Sequence, residues 1–287
     1  MRVLVTGAGG MLGRHLVPVL RQHGHEVVAA DRSDGDLGEP TAARRVVRDA
    51  APDAVVHLAG GPGERPEEMR YANVDTVRNV LTAAGETGRP HVVVIGSAAE
   101  YGDGEPAGGL IGEDAPLRPV TEYGRAKVAA TVLATDLAQS LGIPLTVARP
   151  FNVVGARPPA RTPLGNLSAQ LLAQDGPERL VRCGRLDVVR DFVPATFVAE
   201  ALTALVEGRH LGVVNVCSGI GTTPGEVLAA MGAVLGVEVR VEPVPELVAL
   251  PAADRVVGDP GRLAALGVRC RPTSRDLAEL CLGGGQA

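Results

Sequence analysis

Arg2-Val3-Leu4-Val5-Thr6-Gly7-Ala8-Gly9-Gly10-Met11-Leu12-Gly13, running on into Arg14-His15-Leu16-Val17-Pro18-Val19-Leu20, is the stretch on which the fold of this chain turns. Val3–Val5 is a short apolar run that predicts a buried strand, and Leu12–His23 carries a helical pattern. Glycines at 7, 10 and 13 stand between the two. Glycine lets the backbone take conformations closed to other residues and come close to an anion, and the helix N-terminus that follows presents free N–H groups and the positive end of its dipole. Strand, glycine turn and helix in this order predict a loop that cradles the pyrophosphate of a dinucleotide through Gly7, Gly10, Met11, Leu12 and Gly13. A strict GxGxxG is absent, because Leu12 stands where its third glycine would fall.

Outward from this loop, Glu26–Ala30, Ala54–Leu58, Val92–Ile95 and Pro144–Ala148 read as further strands. Helical patterns occupy Tyr71–Gly85 and Glu122–Leu141. Short strands alternating with longer helices predict the α/β class, with a Rossmann-type doubly wound parallel sheet. After Gly155 the texture changes. Arg157–Asn166, rich in Pro and Arg, reads as a loop leaving the sheet, Leu167–Gln174 as a short helix, and Val213–Val216 as a strand returning to it. The tail mixes a strand at Val237–Val241 with helices at Thr223–Leu235 and Arg275–Leu280. The expected organisation is an NAD(P)-binding domain of residues 1–156 and 186–217, with a smaller substrate-binding lobe of residues 157–185 and 218–287.

Composition narrows the function classes. Apolar residues make up 45% and charged residues 21% of 287, which suits a folded protein with a large core rather than a disordered one. A net charge of −5 provides no basic field for a phosphodiester backbone, so nucleic acid is not an expected partner. Cys183, Cys217, Cys270 and Cys281 are widely spaced and form no CxxC, and no HExxH is present, so no disulfide framework and no metal site is expected. The start is too soon broken by glycine for a signal peptide, and no apolar run approaches the roughly 20 residues of a membrane span. The expected location is cytoplasmic.

Asp31 closes the second strand, where a carboxylate accepts both hydroxyls of an adenosine ribose and repels a 2′-phosphate. NAD(H) is therefore favoured, with NADP(H) the alternative that the neighbouring Arg32 would support. Asp36 and Leu37 are placed to meet the adenine, and His57-Leu58-Ala59-Gly60 ends a strand beside the expected nicotinamide ribose, His57 being either a site residue or a packed core residue.

Tyr123-Gly124-Arg125-Ala126-Lys127 is a YxxxK pair, placed one turn apart on a helix that Thr121 would cap. A free tyrosine has a pKa of about 10, and a neighbouring lysine ammonium favours its phenolate and can hold a ribose. Ser97, 26 residues upstream at the end of the Val92–Ile95 strand, can donate to a substrate carbonyl while Tyr123 handles the proton. Ser97, Tyr123 and Lys127 are the expected catalytic set.

These motifs resemble the extended short-chain dehydrogenases/reductases of the NAD-dependent epimerase/dehydratase family, which act on nucleotide sugars, and the resemblance spans nearly the whole chain. It rests on Gly7–Gly13, Ser97–Gly102, Tyr123–Lys127, Arg149-Pro150-Phe151-Asn152, Arg190-Asp191-Phe192-Val193 and Asn215-Val216-Cys217-Ser218-Gly219. It implies that Pro150 borders the cofactor and that Asn152 contacts the sugar or phosphate of a nucleotide-sugar substrate. It also implies a homodimer formed by the helices near Tyr71 and Tyr123, whose apolar positions Val74, Val77, Leu81, Val128 and Val132 suit either pairing or packing on the sheet. Arg190 is a candidate for the substrate pyrophosphate, with an ion pair to Asp191 the alternative. Arg161 and Asn166, on the loop leaving the sheet, are further candidates. The closest likeness is to reductases of GDP-4-keto-6-deoxymannose, with departures at Pro194-Ala195-Thr196 and Leu250-Pro251-Ala252-Ala253.

Related 4,6-dehydratases carry a proton-transferring acid just after the catalytic Ser or Thr. Here those positions are Ala98 and Ala99, so dehydration is not expected. Glu100, one residue on, would point to the other face of an extended segment and reads as a solvated or structural carboxylate. A 4-ketoreductase and a 4-epimerase both need the Ser-Tyr-Lys set, and the resemblance favours the reductase. A non-catalytic dinucleotide sensor is the reading from another class, and the presence of both Tyr123 and Lys127 argues against it.

Overall fold

The computed structural model describes residues 1–61, 63, 65–103, 109–250 and 252–284. Its first half runs β1 (Arg2–Thr6), α1 (Met11–Gln22), β2 (Glu26–Ala30), α2 (Pro40–Ala50), β3 (Ala54–His57), α3 (Pro66–Arg70), a π-helical turn at Tyr71–Asp75, α4 (Thr76–Glu86), β4 (His91–Ile95), a 3₁₀ turn at Ala98–Glu100, α5 (Glu122–Leu141) and β5 (Leu145–Pro150). The second half runs β6 (Asn152–Val154), α6 (Pro163–Leu172), β7 (Glu178–Cys183), β8 (Val189–Pro194), α7 (Ala195–Glu207), β9 (Gly212–Val216), β10 (Gly221–Thr222), α8 (Pro224–Leu235), β11 (Glu238–Pro243), α9 (Pro245–Val248), β12 (Arg255–Val256), α10 (Gly261–Ala265) and α11 (Ser274–Leu282).

Six parallel strands form the central sheet in the order β2-β1-β3-β4-β5-β9, the Rossmann-like arrangement expected from the sequence. Successive side chains of a strand face opposite ways, so Val3 and Val5 pack with α1 and α7 on one face while Leu4 packs with α2, α4 and α5 on the other. Both faces are covered, which is why the strands are nearly continuously apolar. The chain leaves β1 for β2 on one side and later returns to β3 on the other. The crevice beyond the C-terminal ends of β1 and β3 is thus a topological switch point, and the Gly7–Gly13 loop opens into it.

A second apolar cluster joins α6, α8 and α11, with Leu164, Leu171, Val227, Met231 and Leu277 at its centre. Strand β8 connects this cluster to the central sheet's end, pairing with β6, β10 and β12, while β7 and β11 form a separate parallel ribbon.

The structure departs from the sequence reading in several places. Helix α6 begins at Pro163, so Asn166 lies in a helix and not on the Arg157–Asn166 loop. Thr162 accepts from the Gly165 amide as N-cap and Pro163 takes the first helical position, where proline needs no N–H. Helices α2 and α7 also escaped the reading. The first is short and charged, with Ala43, Val47 and Ala50 buried, and the second is nearly all apolar because it lies against the sheet. The Tyr71–Gly85 helix is broken by the π-helical turn. Of the helix faces suited to pairing, Val74, Val77 and Leu81 are spent on the core, whereas Val132 remains 51% exposed.

Candidate active site

The glycine loop is shaped by close backbone approaches. Gly7 has φ +69°, and a Cβ there would stand 2.7 Å from the Ala59 amide nitrogen. A Cβ at Gly13 would stand 2.5 Å from Ala8 Cα. Gly10 is the N-cap of α1 and supplies no side-chain cap, so Met11, Leu12 and Gly13 begin the helix with their amides available to an anion. This uncapped, glycine-lined helix start fits a pyrophosphate.

The other sequence-predicted cofactor residues gather at the same edge. Leu58 follows β3 and its amide donates to the Thr6 carbonyl, so the Leu58-Ala59-Gly60 turn stacks against Gly7. Asp31 is fully exposed at the end of β2 and lies beside Gly9, with Oδ2 3.4 Å from where a Cβ would stand. The Ser33 hydroxyl and amide both donate to Oδ1 and hold the carboxyl below its usual range. Arg32 lines a cavity of about 540 Å³ with Gly63, Glu67, Glu68, Tyr71 and Ala72. Asp36 accepts from the Gly38 amide and from the Tyr71 hydroxyl at 2.9 Å each, and Leu37 is buried. Pro150 ends β5, buried and paired with Val216. His57 is a packed core residue: Nδ1 meets Thr6 Oγ1 at 2.8 Å and Nε2 meets Thr76 Oγ1 at 3.3 Å. Burial, then the charge of Lys127, hold His57 down to about 3, so its ring is neutral.

Ser97, Tyr123 and Lys127 meet at the exit of β4. The Thr121 hydroxyl caps α5 by accepting from the Gly124 amide at 3.0 Å, which starts the helix where Tyr123 and Lys127 share a face. Lys127 Nζ lies 5.7 Å from the Tyr123 ring centroid and donates to the Ile95 carbonyl at 3.0 Å. Ser97 Oγ accepts from the Ala99 amide at 3.1 Å, which leaves its proton free to donate. Burial lowers Lys127 to about 8, opposed by Glu100. The expected depression of Tyr123 is absent: burial raises its pKa and outweighs hydrogen bonding from Ser97. The Lys127 ammonium is turned to the Ile95 carbonyl, so the phenol stays protonated at neutral pH.

Behind Ser97 lies a buried polar network that sequence reading underestimated. Glu100 is fully buried on the 3₁₀ turn, not on an extended segment, and accepts from the Ser97 amide at 2.8 Å and from Arg149 Nε at 3.0 Å. Arg149 Nη1 donates to the Tyr101 hydroxyl, which donates to Asn215 Oδ1 at 2.7 Å. The paired positions Ala98 and Ala99 carry no acid. Asn73 was also missed. Its side-chain amide donates to the Gly61 and Met69 carbonyls at 2.8 Å each, fixing the turn after β3. A polar residue inside an otherwise apolar helical pattern, at the π-helical turn, was the available signal. So was a count: Lys127 is the only lysine beside 27 arginines. Arginine stays charged in all proteins, whereas a buried lysine can be tuned, so the single exception marks a place that needs tuning.

The substrate candidates are only partly brought together. Asn152 pairs across β6 with Phe192 of β8, and its side chain donates to the Asp191 carbonyl at 3.0 Å. Arg190 donates to the Val189 and Ala253 carbonyls and makes no ion pair with Asp191. Asp191 instead accepts from the Ser218 amide and hydroxyl and from the Gly219 and Gly258 amides, so its oxygens are already committed. In the Leu250–Ala253 stretch, Pro251 lies outside the described residues. Arg161 is exposed in the turn before α6, and Asn166 is exposed on the helix with Oδ1 accepting from Gln170. No hydrogen bond among the described residues ties either to the Ser97–Tyr123 pair.

Known proteins resemble the chain in sequence and in fold. The chain is 33% identical to a dTDP-6-deoxy-L-talose 4-dehydrogenase (NAD(P)(+)) of Kitasatospora kifunensis, with 85% of this chain and 82% of that protein covered. It is 30% identical to a UDP-glucose 4-epimerase of Azospirillum brasilense, covering 94% and 85%. Among solved structures, that of RMD from Pseudomonas aeruginosa complexed with NADPH superposes with a TM-score of 0.85 at 25% identity, covering 98% of each chain. The model of the NAD dependent epimerase/dehydratase family matches residues 3–217. The chain belongs to that family, as an enzyme of the extended short-chain dehydrogenase/reductase type that acts on nucleotide sugars.

Proposed function

We propose that this chain is a 4-ketoreductase, catalysing hydride transfer between NAD(P)(H) and carbon 4 of a nucleotide-linked 4-keto deoxysugar. The observation that carries this reading is the meeting of a protonated Tyr123 with Ser97 and Lys127 beside the uncapped glycine loop, with alanine at both positions where dehydration needs an acid. The names of the two relatives, a 4-dehydrogenase and a 4-epimerase, support carbon 4 as the reacting centre.

The nicotinamide dinucleotide, when bound, supplies the hydride. Gly7, Gly10, Met11, Leu12 and Gly13 hold its pyrophosphate, Asp31 its adenosine ribose, and Asp36 and Leu37 its adenine. Leu58, Ala59, Gly60 and Pro150 border the nicotinamide end, where Lys127 holds the ribose. The ionised Asp31 beside Gly9 favours NAD(H). In reduction the Ser97 hydroxyl donates to the carbon-4 oxygen and orients it. The Tyr123 O–H bond breaks as its proton passes to that oxygen, and the Lys127 ammonium stabilises the phenolate left behind. Residues 157–185 and 218–287 form the lobe that takes the nucleotide sugar, with Asn152 and Arg190 at its base and Arg161 and Asn166 at its rim. The exposed Val132 supports a homodimer through α4 and α5, expected at twice the chain mass in light scattering.

A 4-epimerase is the second reading, supported by the likeness to UDP-glucose 4-epimerase. One experiment separates them: the absorbance and mass spectrum of any dinucleotide released from freshly purified, denatured protein. Near-stoichiometric NAD favours the epimerase. An empty protein that binds NADH reversibly and oxidises it on an NDP-4-keto sugar supports the reductase. Tyr123→Phe abolishes turnover while cofactor affinity stays near wild type, and unchanged turnover refutes the catalytic assignment.

A further inference from the structure

We propose that Glu100, locked by its buried ion pair with Arg149, is a positioning residue for the catalytic set: it fixes the Ser97 amide and serves as the counter-ion of Lys127. The inference rests on the Ser97–Tyr123–Lys127 reading above and assigns a role to a residue outside it.

The geometry centres on three residues at the exit of β4. Lys127 Nζ grips the Ile95 carbonyl at 3.0 Å, and Glu100 Oε1 grips the Ser97 amide at 2.8 Å. Gly96 lies between, its own amide donating to the Ala148 carbonyl at 2.8 Å. A Cβ on Gly96 would stand 2.5 Å from Glu100 Oε1, so the absence of a side chain there is what lets the carboxylate close on the turn. The ammonium and the carboxylate therefore hold the same short segment, one by its carbonyl and the other by its amide.

Glu100 is itself held at both oxygens. Arg149 Nε donates to Oε2 at 3.0 Å while the Ser97 amide occupies Oε1. Arg149 is only 3% exposed and stacks 4.9 Å from the Tyr101 ring centroid while donating to its hydroxyl. Tyr101 is anchored in turn by Asn215, whose side-chain amide donates to the Ile111 carbonyl at 2.9 Å. The guanidinium has no free path away from Glu100.

The charges that face Lys127 point the same way. His57, at the end of β3, feels the Lys127 charge and is neutral, and Tyr123 on the same helix as Lys127 is protonated. Glu100 is the anion that opposes the lowering of Lys127 by burial. Burial raises the Glu100 pKa and the charge of Arg149 from β5 opposes it first; Ser97 and Tyr101 from its own turn and Thr131 and Tyr123 from α5 also face the carboxyl. A buried ion pair seldom adds stability over apolar side chains of the same volume, so a purely structural role gives little reason for this one. Holding a charge in place beside a tunable lysine gives a reason.

The single lysine makes the test direct. The full chain, untagged and grown with [13C,15N]lysine, yields one set of lysine side-chain resonances, and its titration reports Lys127 alone. The expected wild-type midpoint is about 8. Glu100→Gln moves it down by about one pH unit, and the high-pH limb of kcat moves with it. Glu100→Asp keeps the charge but shortens the arm: the midpoint stays, while kcat falls about tenfold or more as Ser97 loses its anchor. NADH affinity changes little in either. If Glu100→Gln strands Arg149 and does not fold, Glu100→Gln/Arg149→Met removes the guanidinium as well, and the Lys127 midpoint falls by less than in Glu100→Gln because a neighbouring positive charge leaves with the carboxylate. A midpoint unchanged in the folded neutral variant overturns the counter-ion role, and full kcat in Glu100→Asp overturns the positioning role. Turnover surviving in Tyr123→Phe instead refutes the catalytic reading on which both depend.

Discussion

Replacing Gly13 by alanine separates the phosphate loop from the rest of the fold. The new methyl would stand 2.5 Å from Ala8 Cα and 2.6 Å from Ala8 C, about 1 Å inside ordinary carbon–carbon contact at ~3.5 Å. Both atoms are backbone, so no side chain can turn away, and the loop and the first turn of α1 must slide apart by roughly that ångström. Overpacking of this kind costs about 1–3 kcal/mol. Alanine's better helix propensity offsets about 1 kcal/mol of it. The net loss of up to about 2 kcal/mol lowers Tm by at most roughly 8 °C.

The effect on the cofactor is larger than that on the fold. A displacement of about 1 Å breaks one or two amide hydrogen bonds to the pyrophosphate, at about 1.5–3 kcal/mol each. NADH affinity then falls at least about tenfold. Calorimetric titration with NADH, beside thermal melts with and without ligand, reads both quantities. Gly9→Ala is the control, since its methyl meets only Asp31 Oδ2 at an ordinary 3.4 Å. A Gly13→Ala protein that binds NADH within about twofold of wild type, with an unchanged Tm, refutes the reasoning.

Two further outcomes follow from the site's charges. His57 is held down to about 3 in the folded chain, whereas the unfolded chain takes up its proton below about 6.5. Its contribution is full above pH 6.5 and declines by about 1.4 kcal/mol per pH unit as pH falls from there toward 3. The stability of wild type relative to His57→Asn therefore drops by about 2 kcal/mol between pH 7 and pH 5 in urea titrations, and a pH-independent difference contradicts the assignment. Asp31→Asn removes the anion that repels a 2′-phosphate and shifts the NADPH-to-NADH affinity ratio toward NADPH by about tenfold or more. An unmoved ratio would transfer that role to Arg32 or to the backbone.

The sequence alone determined the strand–glycine–helix opening, the parallel sheet, and the proposed catalytic positions Ser97, Tyr123 and Lys127. Each is a local signal: β1 and α1 are written in the period of their apolar residues, and Thr121 caps α5 without help from distant parts of the chain. Local signals failed where context decided. Pro163 reads as a loop former until its place at the first helical position is known, and α7 is apolar on most of its surface because it lies against the sheet.

The tertiary structure decided what those residues meet. Sequence spacing places Tyr123 beside Lys127, yet only the packing of α5 on β4 turns the lysine to the Ile95 carbonyl and buries the phenol enough to raise its pKa. Glu100, Arg149 and Asn215 are far apart in the chain and share no motif, and three strand ends bring them into one network behind Ser97. Arg190 and Asp191 are neighbours in sequence that do not pair, because a strand sends adjacent side chains to opposite faces. Local periodicity is a property of a few residues and survives in the sequence. Burial, and the charge each group feels because of it, arises only when distant segments exclude water together.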